Sequence, residues 1–300
     1  MRTYLDCVPC FIGQALDSAR RRTDSPTIQE QLLREALTLA SKLSFAKPPP
    51  IMGRLLHRRL RELTGQPDPY RTAKHKANQF ALRLYPELKE LVIQSEDPLG
   101  AAAKFAIAGN VIDLGVKTGL TQNDVRSSIQ EAIEGHLEPE ALEDFRQAVK
   151  SAGDILYLAD NAGEIVFDCL LIEQMPPGSV TVAVKAGPII NDATREDAEA
   201  AGLTDLVEVI DSGDDAPGTV LDLCSPSFRR RFDAAHLVIA KGQGNYETLN
   251  ECRHRNLFFL LKAKCGVIAR DLGCRVGEMV VRRHETFAPH HTRNLGESLT

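Results

Sequence analysis

The chain has 300 residues, 43% of them hydrophobic and 26% charged, which is enough to bury the core of one large or two ordinary domains. A formal charge of −5 argues against generic nucleic-acid binding; the short basic runs at Arg20 to Arg22, His57 to Arg59 and Arg229 to Arg231 read as solvated helix faces. No stretch approaches the roughly 18 apolar residues of a membrane span. "MRTYLDCVPC" lacks a long apolar segment after its basic residue, so a cytoplasmic protein with no membrane partner is expected, its seven cysteines reduced.

In chain order, the first half reads as helical. Leu32, Ala36, Leu39 and Leu43 recur at helical spacing, and "KPPP" at 47–50 stops that pattern because proline lacks an amide donor. Further helical stretches come around 51–64, 71–93, 97–118 and 139–151. The rhythm changes near "KSAGD". Short, nearly continuous apolar runs appear at 154–160, 179–185, 206–210, 235–241 and 257–262, with helix-forming stretches in most of the gaps. That alternation predicts a parallel sheet covered on both faces. The expected architecture is therefore an all-helical domain over 1–150 joined to a doubly wound, mostly parallel α/β domain over 151–300. The final residues read as a surface tail, where His284, His290 and His291 are weak candidates for metal binding.

Open parallel sheets bind ligands beyond the carboxyl ends of their strands, so the residues just past each strand are the ones to inspect. After the first comes Asp160-Asn161-Ala162-Gly163-Glu164; after the second, "AGPIINDAT" with Asn191 and Asp192; after the fourth, "KGQGNYE" from Lys241. Asp160, Asn161 and Asp192 form a hard-oxygen set suited to magnesium or manganese. Singly, each has a plain structural use: the first pair turning the chain, the third capping a helix. Gly242 and Gly244 allow close backbone approach at a helix N-terminus that offers amides to an anion, and Lys241 adds positive charge. A metal, a lysine and an amide nest are what phosphoryl chemistry needs.

"DNAGE", "IINDAT" and "KGQGNYE", with "CVPC", "DPYRTAKHKAN", "AGNVID" and "LLKAKCGVIARDLG", resemble the metal-dependent damage-control phosphatases, family 89 of the domains of unknown function. The resemblance spans most of the chain and points to the prokaryotic subfamily carrying an N-terminal CxxC. It implies a phosphatase dependent on a divalent metal (magnesium, manganese, or a transition metal such as nickel or cobalt) and acting on small phosphorylated metabolites of phosphosugar or phosphopantetheine type. By motif match Asp160, Asn161 and Asp192 would ligate the metal and Lys241 would contact the phosphoryl group. Asp160 would either attack phosphorus itself or only ligate the metal while water attacks. Glu164 has two readings: it orients water or a substrate hydroxyl, or it is an acid favoured in a first helical turn. Asn245 and Glu247 either serve the substrate or cap their helix. Asn110 and Asp113, three residues apart on one helix face, either close over the site or make a polar contact between helices, and the same choice applies to Asp68, Lys74 and Asn78.

Cys7 and Cys10 form a CxxC. A zinc site would need further ligands, for which Cys252 or Cys265 are candidates; buried helical thiols are the plain alternative. Two other functions thus stand beside the phosphatase: a phosphate- or nucleotide-binding sensor without turnover, and a CxxC metal or redox protein. The sequence leaves the oligomeric state open.

Overall fold

The computed structural model describes residues 1–118, 130–254 and 256–284, apart from the side chains of 21, 22 and 110–118. Helices α1 (Cys7–Arg22), α2 (Pro26–Ser41), α3 (Pro50–Thr64), α4 (Arg71–Gln94), α5 (Pro98–Thr118) and α6 (Pro139–Ser151) precede the first strand. The remainder alternates: β1 (Ile155–Leu158), α7 (Glu164–Ile172), β2 (Val180–Val184), α8 (Arg195–Ala200), α9 (Leu203–Leu206), β3 (Glu208–Asp211), α10 (Pro226–Ala234), β4 (Leu237–Lys241), α11 (Gly242–Leu249), β5 (Leu257–Lys262), α12 (Gly266–Leu272) and β6 (Met279–Arg283). Among the described residues no helix is long and apolar enough to cross a membrane.

The strands form one sheet in the order β3-β2-β1-β4-β5-β6, the first five parallel and β6 antiparallel to β5. This is the doubly wound arrangement expected. The sixth strand goes beyond that expectation: "MVVRR" is short and ends on two arginines. It is held by pairing with β5 and by Arg283, whose Nε and Nη2 donate to Asp144 at 2.7 Å.

Apolar runs with little polar interruption conceal a two-residue alternation. Ile155, Tyr157, Val180, Val182, Leu237, Ile239, Phe258 and Leu260 face one core, shared with α4 to α8. Leu156, Leu158, Val238, Ala240, Leu257, Phe259 and Leu261 face the other, covered by α10 to α12. Burial on both faces is why the strands need no polar side. The first core runs unbroken from Ala81 to Val281, so α4 to α6 belong to the sheet's own core although the change from helices to alternation falls near 150. Only α1 to α3 carry separate small clusters, such as Ala15, Ala36 and Leu56.

The stretch 57–59 differs from the solvated face expected. His57 is buried against Tyr70, and Arg59 pairs with Glu35. Arg54 Nη2 reaches Asp214 Oδ2 at 2.6 Å, Arg58 Nη2 reaches Asp215 Oδ1 at 2.6 Å, and Arg61 donates to Pro188 O at 2.5 Å. These contacts pin α3 onto the loops that follow β2 and β3. His284, too, is no tail residue: it is 6% exposed and its ring Nε2 lies 2.7 Å from Cys252 O. His290 and His291 lie outside the described residues.

Candidate active site at the strand ends

The winding reverses between β1 and β4, so the crevice of the sheet opens where those two strands end. Asp160 follows β1 and Lys241 closes β4. The loop after β2 folds back onto the loop after β1. Ala193 N donates to Asp160 O at 2.8 Å, Ala162 N donates to Asn191 O at 2.8 Å, and Asn161 and Asp192 form an isolated antiparallel bridge. Asp160, Asn161 and Asp192 are therefore brought together, at 6%, 5% and 4% exposure. Ile190, two residues before Asp192, has φ of 45°, a left-handed conformation unusual for a β-branched residue and typical of backbone strained at functional sites.

The electrostatics are those of crowded acids. Burial, then Glu164 and Asp192, push the Asp160 carboxyl well above the usual range, against the pull of Lys264 and Lys185. Burial raises Asp192 to about 6, opposed by Lys185, Lys74 and Lys264. Asp192 Oδ2 is buried with no hydrogen-bond partner among the described residues, and Lys185 Nζ stands 3.7 Å from it. Gly242, with φ of 76°, lies so close to Asp160 that a Cβ would sit 1.8 Å from Oδ2. An orphaned carboxylate oxygen, a second crowded carboxylate and a carboxamide form a donor set that fits a hard divalent cation. Among the described residues no three His, Cys, Asp or Glu side chains converge to hold a metal; the set here is two carboxylates and an amide.

Three expected substrate-side residues are placed differently. Lys241 is fully buried, and its ammonium donates at 2.7 Å to Ala106 O, Glu164 Oε1 and Asp168 Oδ1. All three hydrogens are used within the protein, so the phosphoryl contact expected of Lys241 is not available in this arrangement. Glu164 is 2% exposed; it takes Asn161 Nδ2 on Oε2 at 3.0 Å and Lys241 Nζ on Oε1 at 2.7 Å, which binds it to the rim from behind. Asn245 is fully buried: its Oδ1 accepts from Thr219 at 2.7 Å and its Nδ2 donates to Lys241 O at 2.8 Å, so it ties the loop after β3 to the end of β4. Gly244 packs against Gly218, where a Cβ would meet the Gly218 amide at 3.1 Å. The side chains of Asn110 and Asp113 lie outside the described residues.

Lys74 and Asn78 act as a buttress. Lys74 Nζ pairs with Asp197 at 2.7 Å and with Asp68 at 3.6 Å. Asn78 donates to Asp197 Oδ1 at 2.9 Å and accepts from Gly163 N at 2.6 Å. The helical half thus fixes the turn that carries Asp160.

One cation of the rim is not apparent from the strand-end motifs. Lys264, two residues past β5, is exposed on the same rim, and its charge draws down both Asp160 and Asp192. Its backbone N donates to Gln243 Oε1 at 3.1 Å, which couples its loop to the start of α11. The signal in the sequence is its position, as the first exposed cation after the fifth strand, inside "LLKAKCGVIARDLG". The cysteines divide. Cys265 caps α12 beside Gln243, whose Nε2 is 3.8 Å from its sulfur, and Asp6 pairs with Arg270 at 3.0 Å, which brings the CxxC end of α1 to that side. Cys252 precedes β5 and sits at the opposite end of the sheet. A cavity of about 920 Å³ lies away from this rim, between α6 and β6, and is lined by Asp144, Lys262 and Arg283 among others. The rim is identified by its chemistry, not by concavity.

The model of the damage-control phosphatase ARMT1-like domain matches residues 3–280. A protein named damage-control phosphatase PH1575, from Pyrococcus horikoshii, is 37% identical, with 95% of this chain and 99% of that protein covered. A damage-control phosphatase from Archaeoglobus fulgidus is 34% identical, covering 92% of this chain and 97% of its own. The crystal structure of the Pyrococcus horikoshii protein, described as a DUF89 family protein, superposes with a TM-score of 0.86 over 95% of this chain and all of that one, at 34% identity. With a match over nearly its whole length and relatives above 30% identity, the chain belongs to the damage-control phosphatase ARMT1-like family.

Proposed function

We propose that this rim hydrolyses small phosphate monoesters with the help of one divalent cation held by Asp160, Asn161 and Asp192. The phosphatase activity follows from the family and its named members. The cation and the roles of individual residues rest on one observation: the buried carboxyl of Asp192, with an orphaned oxygen, is bridged to Asn161 and so set beside the buried carboxyl of Asp160 at the sheet's switch point. Magnesium, manganese, nickel or cobalt at these oxygens would supply Lewis-acid polarisation of the phosphoryl group. The exposed ammonium of Lys264 takes the phosphoryl-binding role first expected of Lys241, and the amides opening α11 at Gly242 add dipolar stabilisation. Lys185 holds Asp192 and the Gly218 carbonyl in place. Phosphosugar- or phosphopantetheine-like esters fit an anion-binding rim of this kind, and the family resemblance favours them.

The test is an aryl phosphate assay with each of the four metals. Metal-dependent turnover that disappears in Asp160→Ala supports the reading. Tight phosphate binding without turnover would replace it with a sensor, and unchanged turnover in Asp160→Ala would remove the rim from the chemistry. Borohydride trapping of an acyl-phosphate separates attack by Asp160 from attack by water.

A further inference from the structure

Behind the rim, hydrogen bonds run in one unbroken chain from the sheet interior to Asp160. Tyr157 OH donates to Asp168 Oδ1 at 2.8 Å, and Lys241 Nζ donates to the same oxygen at 2.7 Å. Lys241 also donates to Glu164 Oε1 at 2.7 Å, and Glu164 Oε2 accepts from Asn161 Nδ2 at 3.0 Å. Asn161 Nδ2 gives its other hydrogen to Asp160 Oδ2 at 2.7 Å.

Asp168 is the member that none of the rim chemistry requires. It is fully buried, its Oδ2 has no hydrogen-bond partner among the described residues, and no motif singles it out. Lys241 and Glu164 alone would make a neutral pair. A second buried carboxylate carries a desolvation penalty that only pairing and hydrogen bonds offset. Glu164 and Asp168 are four residues apart on α7 and share a face, where like charges repel. Lys241 arrives between them from the end of β4 and is held on both sides, with Ala106 O taking its third hydrogen. With the ammonium pinned, Glu164 presents Oε2 to Asn161. Both amide hydrogens of Asn161 are then committed to carboxylate oxygens, and its carboxamide oxygen is turned away from them. A flipped amide would set oxygen against oxygen at both contacts.

We infer that Asp168, supported by Tyr157, is a positioning residue that works through Lys241 and Glu164 to fix which atom of the Asn161 carboxamide is offered to the cation. This rests on the cation reading above. Partners behind a metal ligand are known to change metal affinity by about 10–100-fold.

Manganese binding to the full chain, followed by the loss of the free-ion EPR signal, tests it without reference to turnover. Asp168→Asn is expected to weaken manganese binding about 10-fold. Glu164→Gln, whose amide nitrogen opposes that of Asn161, is expected to do at least as much. In the double variant the losses should not multiply, because both act on one group. Near-wild-type affinity in Asp168→Asn, or losses that multiply in the double variant, would overturn the inference. Should Asp168→Asn fail to fold, Tyr157→Phe carries the test: it keeps the charge and deletes one bond, so about a twofold to threefold weakening is expected, and no change overturns the role. A wild-type chain that binds no manganese, magnesium, nickel or cobalt defeats the cation reading itself, a separate outcome.

Discussion

Asn161 and Asp192 are partners in a single antiparallel bridge between the loops that follow β1 and β2. That bridge holds two carboxyls in the same buried place, and each resists ionising there. A carboxyl with a raised folded-state pKa binds its proton more tightly when folded, so its penalty grows as pH rises through the acid range. Asp160→Asn should therefore raise the Tm of the metal-free protein at pH 8. It should also abolish most of the Tm increase that saturating manganese gives the wild type, and lower turnover by at least about 10–100-fold. Thermal melts with and without manganese, alongside the aryl phosphate assay, check all three.

Gly242 faces Asp160 with no room for a side chain, its hypothetical Cβ lying 1.8 Å from the carboxylate. Gly242→Ala should cost about 1–2 kcal/mol for the left-handed backbone alone, and about 100-fold in turnover because Asp160 must shift. Gly178 is the control. It has a similar φ of 73° but nothing within 4 Å, so Gly178→Ala should share the stability cost and keep full turnover.

Lys264 and Lys241 should separate cleanly. Lys264→Ala is expected to leave Tm and manganese affinity near wild type while lowering kcat/KM by about 10–100-fold and weakening inhibition by inorganic phosphate. Lys241→Met strands Glu164 and Asp168 as buried unpaired acids, a loss of about 3–5 kcal/mol seen in chemical denaturation. A stable Lys241→Met with a specific defect in phosphate binding would restore the role first expected of it.

Glu247 offers a pH signature away from the cation. Burial lifts its carboxyl to about 7, opposed by Gln243, the N-terminal amine and Lys264. The folded state then holds a proton between the ordinary carboxylate range and pH 7, so stability is lost as pH rises through that window. Glu247→Gln is neutral throughout. Its Tm should match the wild type below the ordinary carboxylate range, exceed it increasingly as pH rises to about 7, and keep that lead above, as a pH series of melts would read.

The sequence by itself determined the fold class and the identity of the rim. Unbroken apolar runs can persist only where a strand is covered on both faces, and polar residues can interrupt them only at strand ends, so "DNAGE" and "IIND" had to lie at an edge of the sheet. Periodicity could not say what each polar side chain does there, because that depends on which direction it points and what crosses from elsewhere in the chain. Lys241 reads as an exposed cation at a strand end, yet its ammonium turns inward to two acids on α7 and a carbonyl on α5. Lys264 reads as an ordinary surface lysine, yet the β5 crossover sets it beside two carboxyls more than seventy residues away. Asp168 sits in an apolar helix with no visible reason until Lys241 arrives from β4. Local patterning encodes burial and secondary structure; the pairing of charges between distant segments is set only when the sheet's strand order brings them together.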